Sequence, residues 1–131
     1  MTIKIVNSIE EVLDLYKRAV LEKNPNLMLS LYCDDVVIYD VAGQWSMSGK
    51  QDLADMVAAW FQEIGTDRAD VEFSNLAIHE SQTCAFAYFD ARFSKIGFEQ
   101  SVTDRFTMGL IYDQGWKIKH QHASHPIEIS H

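Results

Sequence analysis

Basic residues are scarce in this chain and nowhere clustered. Eleven Lys and Arg stand against nineteen Asp and Glu, a net charge of −8, and no basic run exceeds the pair Lys17-Arg18. A surface for nucleic acid or for an anionic membrane needs grouped cations, so neither partner is expected. Cysteine is nearly missing as well. Cys33 and Cys84 stand alone, without the close spacing of a metal knuckle or the numbers of a disulfide framework. Both sit in apolar company, so buried free thiols are expected. No segment approaches the roughly 20 apolar residues of a membrane span. The start, Met1-Thr2-Ile3-Lys4-Ile5, lacks the charged region and apolar run of a secretory leader. A soluble protein of the reducing cytoplasm is the default these absences leave. Repeats, low-complexity tracts and internal linkers are missing too. At 131 residues the chain reads as one domain, 1–131, long enough to bury roughly two-thirds of its unfolded surface.

The apolar pattern changes period part-way along. Ser8-Ile9-Glu10-Glu11 has the form of a capping box. Ile9, Val12, Leu13, Tyr16 and Val20 follow at helical spacing, so a first helix is expected to about Lys23. Asn24-Pro25 suits a new helix start, with a short helix to about Tyr32. Val36 to Asp40 reads as a β-branched strand, Val41 to Gln44 as a turn, and Trp45-Ser46-Met47 as a short return strand. Ser48 to Gln51 resembles a second capping box. Leu53, Met56, Val57, Trp60, Phe61 and Ile64 make the stripe of a third helix, which Gly65 would stop. From Thr66 the period is two. Strands are expected over Val71–Ile78, Thr83–Phe93 and Phe98–Tyr112, with Asp113-Gln114-Gly115 turning into a last strand from Trp116 to Ser124. The class is α+β: helices of the N-terminal half packed against a curved antiparallel sheet that forms a cone, a natural small-molecule site.

The last strand carries the polar signal. Strict alternation puts Trp116, Ile118, His120, His122 and Ser124 on one face, apolar at its start and polar at its end. A strand running from a packed core into a pocket would have that pattern.

These elements resemble the nuclear transport factor 2-like fold, the SnoaL-like or ketosteroid-isomerase-like superfamily, over nearly the whole chain. Leu31 to Asp40, followed by Gly49, looks like the helix-to-strand passage of ketosteroid isomerases. Gly115-Trp116-Lys117-Ile118 with His120 to Ser124, and Arg105-Phe106-Thr107 one strand earlier, look like SnoaL-like and calmodulin-dependent-kinase-association-domain-like proteins. The resemblance implies a cystatin-like cone and a homodimer joined through the convex sheet face. In ketosteroid isomerases an Asp on the early strand is the base, and a helix-1 Tyr with a second, protonated Asp holds the oxyanion. Asp40 and Tyr16 match the first two. The third falls at Thr107 or Met108, neither an acid, and His120 or His122 is the replacement donor expected.

The residues themselves support that chemistry and its bland alternatives. Asp40 in a dry pocket would be a usable base; solvated, it would only begin a turn. Tyr16 can donate to an oxyanion or simply fill the core. His120 and His122 can move protons near neutral pH or tie the sheet together at the pocket rim. As metal ligands they would need a third from Asp40 or His125, and no motif spacing supplies one, so no metal and no cofactor is expected. Arg105, facing inward, would anchor a carboxylate; facing out, it would make an ordinary ion pair. Asp90 is its possible partner. Ser124 would orient a ligand, and Trp45, Trp60, Phe86, Tyr88 and Phe106 supply aromatic walls. The function expected is binding of a small apolar or carboxylate-bearing ligand. The activity, if present, is isomerase- or lyase-type on a carbonyl compound; the alternative is a non-catalytic binding or assembly module.

Overall fold

The structure is a computed structural model that describes residues 5–41 and 44–126, with backbone alone at Asp40 and Val41. Among the described residues the elements run α1 (Ile9–Glu22), α2 (Pro25–Ser30), β1 (Tyr32–Val41), β2 (Gln44–Ser48), α3 (Gly49–Ile64), β3 (Ala69–Glu80), β4 (Cys84–Lys95), β5 (Ser101–Tyr112) and β6 (Trp116–Ser124). The centre of the turn expected between Val41 and Gln44 lies outside the described residues, as does the tail beyond Pro126.

Local chemistry explains the helix boundaries. At α1, Ser8 Oγ accepts from the Glu11 amide at 3.1 Å, and the Glu11 carboxylate reaches back to the Asn7 amide at 3.3 Å. The first bond satisfies a donor that a helix start leaves open, and the second ties down the residue before the cap. The far end is clamped by Lys23, whose Nζ donates to the Gly65 and Asp67 carbonyls at 2.6 Å each. Asn24 caps α2 through its side chain, at 3.1 Å from the Leu27 amide. That helix is shorter than expected, because β6 captures the chain early. The Leu31 carbonyl accepts from the Ile118 amide at 2.8 Å, and Tyr32 pairs with Ile118. Tyr32, Asp34 and Asp35 are therefore strand residues. The second capping box is not formed. Ser48 makes no side-chain cap; instead the Asp52 carboxylate accepts from the Ser48 amide at 3.2 Å. Gly65, at φ 64°, ends α3 where a side chain would be strained.

The sheet has the order β2-β1-β6-β5-β4-β3. It is antiparallel except for β1 and β6, which run parallel. The sheet is curved and does not close. All three helices cover its inner face: α1 against β3, α3 against β1 and β2, and α2 against the other two helices. Ile9, Val12, Tyr16 and Val20 of α1 meet Ala87, Phe89 and Ala91 of β4 and Met108 and Leu110 of β5 in one continuous core. Cys33 is buried, whereas Cys84 is exposed at the start of β4, against expectation. No described helix is long and apolar enough to cross a membrane.

One irregularity decides which side chains face inward. Leu110 pairs with Ile118, but the adjacent Gly109 pairs with His120. Lys119 is thus an extra residue in β6, a β-bulge. Past a bulge the parity of a strand reverses. Trp116 and Ile118 face the core, and after the bulge Gln121 and Ala123 do, at 2% and 6% exposure. His120, His122 and Ser124 lie on the face turned away from the helices. The strict alternation that placed them with Trp116 and Ile118 is overturned by this single residue.

Candidate functional site

Between α3 and the inner sheet face lies a cavity of about 640 Å³. Tyr16, Trp60, Phe93 and Phe106 give it an aromatic lining. Phe73 and Phe89 link Tyr16 to Phe106 in one chain of rings that continues through Phe93 to Trp60, each ring within 6 Å of the next. Such rings suit a flat apolar ligand.

The buried end of the cavity is polar. Tyr32 donates its hydroxyl to Gln121 Oε1 at 2.8 Å, and both side chains are buried. That bond occupies the amide oxygen, so the Gln121 nitrogen is left to face the cavity. The Tyr16 hydroxyl has no partner among the described residues, yet it is not sealed off, and Tyr16 lines the cavity wall. Burial pushes both phenols well above the ordinary tyrosine range. For Tyr32 the neighbouring Tyr16 adds to that rise, while the Gln121 bond opposes it. Both rings stay protonated and available as donors at any ordinary pH.

The open end is acidic. Asp52, Asp55 and Glu63 of α3 and Asp104 of β5 line it. Among the described residues no Lys, Arg or His lines the cavity.

The residues singled out in the sequence fall into three places. Tyr16, Trp60 and Phe106 line the cavity, where they were expected. Asp40 belongs to β1, but its side chain lies outside the described residues. The rest are elsewhere. His120 holds its Nδ1 2.7 Å from the Val37 carbonyl, and its ring lies edge-on to Tyr39 at 4.7 Å. His122 flanks the same Tyr39 at 5.9 Å. Arg105, Tyr88, Ser124, Asp90 and His122 do come together, but in a separate hollow of about 410 Å³ on the outer face. There Asp90 accepts from Asn75 Nδ2 at 2.8 Å. Phe86 is exposed on that face too, and Trp45 is 93% exposed and lines neither hollow. His125 bonds the Thr103 carbonyl at 3.1 Å. Among the described residues no three His, Cys, Asp or Glu converge as metal ligands.

Sequence reasoning missed two members of the polar end. Tyr32 was placed at the end of a helix, and Gln121 on the wrong side of its strand. Gln121 is the one buried polar residue among those described. Its strand partner is Met108, one of the two positions where an isomerase would carry its second acid. The other position, Thr107, is exposed and pairs with His122; only Met108, beside Gln121, is buried.

The family model of the SnoaL-like domain matches residues 9–128. The chain belongs to the SnoaL-like domain family. Solved structures share the fold of this SnoaL-like domain. An NTF2-like protein of unknown function from Pseudomonas putida KT2440 superposes with a TM-score of 0.84 at 22% identity, over 92% of this chain and 86% of that one. A protein from Thiobacillus denitrificans, provisionally named a calcium/calmodulin-dependent protein kinase type II association domain, gives 0.76 at 18% identity, over 96% and 100%. A protein from Novosphingobium aromaticivorans, provisionally named a scytalone dehydratase, gives 0.73 at 17% identity, over 88% and 79%. At these identities the likeness is one of fold alone. No curated protein matches the chain.

Proposed function

We propose that this SnoaL-like domain binds a small, mainly apolar carbonyl compound in its inner cavity. The observation that supports the reading is a pair of donors without partners among the described residues, Tyr16 Oη and Gln121 Nε2, in an aromatic-walled hollow. Both donors are open to the cavity, and a ligand oxygen placed between the two would accept from both. The same two donors would stabilise an enolate oxygen better than a neutral carbonyl, since negative charge strengthens the hydrogen bonds it accepts. In the catalytic form of the reading, Asp40 takes a proton from the carbon beside the carbonyl. The C–H electrons move into the enolate, and the proton returns at another carbon or a leaving group departs. The activity is then isomerase- or lyase-type, as the ketosteroid-isomerase-like resemblance implies.

Calorimetric titration with 2-acetonaphthone tests binding. Tyr16→Phe and Gln121→Leu are each expected to weaken it by about tenfold, the effect of one hydrogen bond of roughly 1.4 kcal/mol. Binding unchanged in both variants would sink the oxygen site. Deuterium exchange at the methyl group of the bound ketone, followed by NMR, tests the base. Exchange that proceeds equally in Asp40→Asn would remove Asp40 from the mechanism.

A second reading is favoured by the outer face. His79, Phe86 and Tyr88 stack there nearly parallel, His79 and Phe86 at 4.7 Å, with Phe86 and Tyr88 each about half exposed. An exposed aromatic ladder on a sheet suits self-association. In this reading the domain is a homodimeric binding or assembly module and the cavity holds a ligand without turning it over.

A further inference from the structure

We infer that the ligand of the inner cavity is cationic: an aromatic carbonyl compound bearing an ammonium group, with its oxygen at Tyr16 and Gln121 and its charge at the acidic rim. The inference rests on the proposed ligand-binding reading and deepens it. Two independent observations meet in one hollow. The first is the Tyr16 hydroxyl, in a side chain 4% exposed, without a partner among the described residues and on the cavity wall. It marks where a ligand oxygen belongs. The second is the rim, where Asp52, Asp55, Glu63 and Asp104 line the same hollow and no described base does.

The nearby cations are engaged elsewhere. Lys119 pairs with Asp35, and Lys50 and Lys95 pair with Asp34 and Asp67 at 3.5 and 3.6 Å. Two rim acids are already bonded within the protein. Asp52 accepts from the Ser48 amide, and Asp55 accepts from Gln51 Nε2 at 3.0 Å. Asp104 faces His125 at 3.5 Å. Glu63 has no partner among the described residues, and it stands one turn from Trp60, whose ring face attracts cations. A cleft lined by one sign of charge with apolar walls concentrates ligands of the opposite sign, and the net charge of −8 adds to that field. A carboxylate-bearing ligand, which the sequence allowed, would enter against four like charges. Arg105, the cation expected to receive it, lies on the other face of the sheet.

Three probes of one shape test the inference on the full chain: 2-acetonaphthone, its 6-aminomethyl derivative and its 6-carboxylate. At low salt the ammonium probe is expected to bind about tenfold more tightly than the neutral ketone, and the carboxylate about tenfold more weakly. Raising salt should compress the series, because the rim is open to solvent and screened beyond about 10 Å at 0.1 M. The double variant Asp55→Asn/Glu63→Gln should bring the ammonium-to-carboxylate ratio towards one. The salt series on the unmodified protein reads the same quantity if that variant is unstable. Equal affinities for the three probes, or a carboxylate that binds best, would overturn the cationic ligand and leave the binding site standing. Failure of all three probes to bind would remove the binding reading, and this inference with it.

Discussion

Tyr32 and Gln121 are separated by 89 positions in the chain and joined by one buried hydrogen bond. That bond fixes which end of the Gln121 amide faces the cavity, so it positions a donor rather than merely filling space. Tyr32→Phe leaves the Gln121 oxygen buried without a donor. We expect a stability loss of about 1–3 kcal/mol, measured by urea unfolding. The phenols also predict behaviour in alkali. Their folded-state pKa values lie above the ordinary value of 10.0, because burial disfavours the phenolate. The folded state therefore holds these protons more tightly than the unfolded one. Their contribution is complete below pH 10 and is lost as pH rises through the folded-state values. Each phenol should cost the protein up to about 1.4 kcal/mol per pH unit above 10. Thermal melts from pH 9 to 11 should show a shallower decline in Tyr32→Phe than in the parent. Parallel declines would take the Tyr32 proton out of the folding equilibrium.

At the scale of the element, β6 shows how one extra residue can overrule a clear pattern. The helices were legible because their apolar stripes and caps are local. Ser8, Asn24 and Gly65 stand where a helix start or stop needs them. The long strands β3, β4 and β5 were legible from alternation and turns. A bulge has no such signature, since Lys119 differs in nothing from an ordinary outward strand residue. It lies where β6 pairs with β5 on one side and, in parallel, with β1 on the other. Its consequence is directly measurable. In a Cys84→Ser background, His122→Cys should react readily with an aqueous thiol reagent. Gln121→Cys should react slower by on the order of a hundredfold, because the site opens only when structure does. Equal rates would mean that the bulge is absent in solution.

For the whole molecule, the two faces of the sheet separate residues that strict alternation puts together. The inner face holds the cavity; the outer face holds the histidines, Arg105 and the aromatic ladder. If the outer face joins two copies, Phe86→Lys with Tyr88→Glu should yield a monomer by sedimentation. Because both rings lie outside the core, the monomer should remain folded, with a melting point no longer dependent on protein concentration. A dimer that survives those charges would exclude this face as the interface. The α+β class, the three helices, the strand boundaries to within a few residues and the inward Tyr16 were determined by the sequence alone. They follow from periodicity, caps and turns, which act within a few residues of the chain. The company Tyr16 keeps was decided only by the tertiary structure. Gln121 reaches the cavity because the register between β5 and β6 slips by one residue, and Tyr32 because β6 ends α2 early. Register and capture are set by pairing between strands far apart in the chain, and alternation along a single strand carries no record of either.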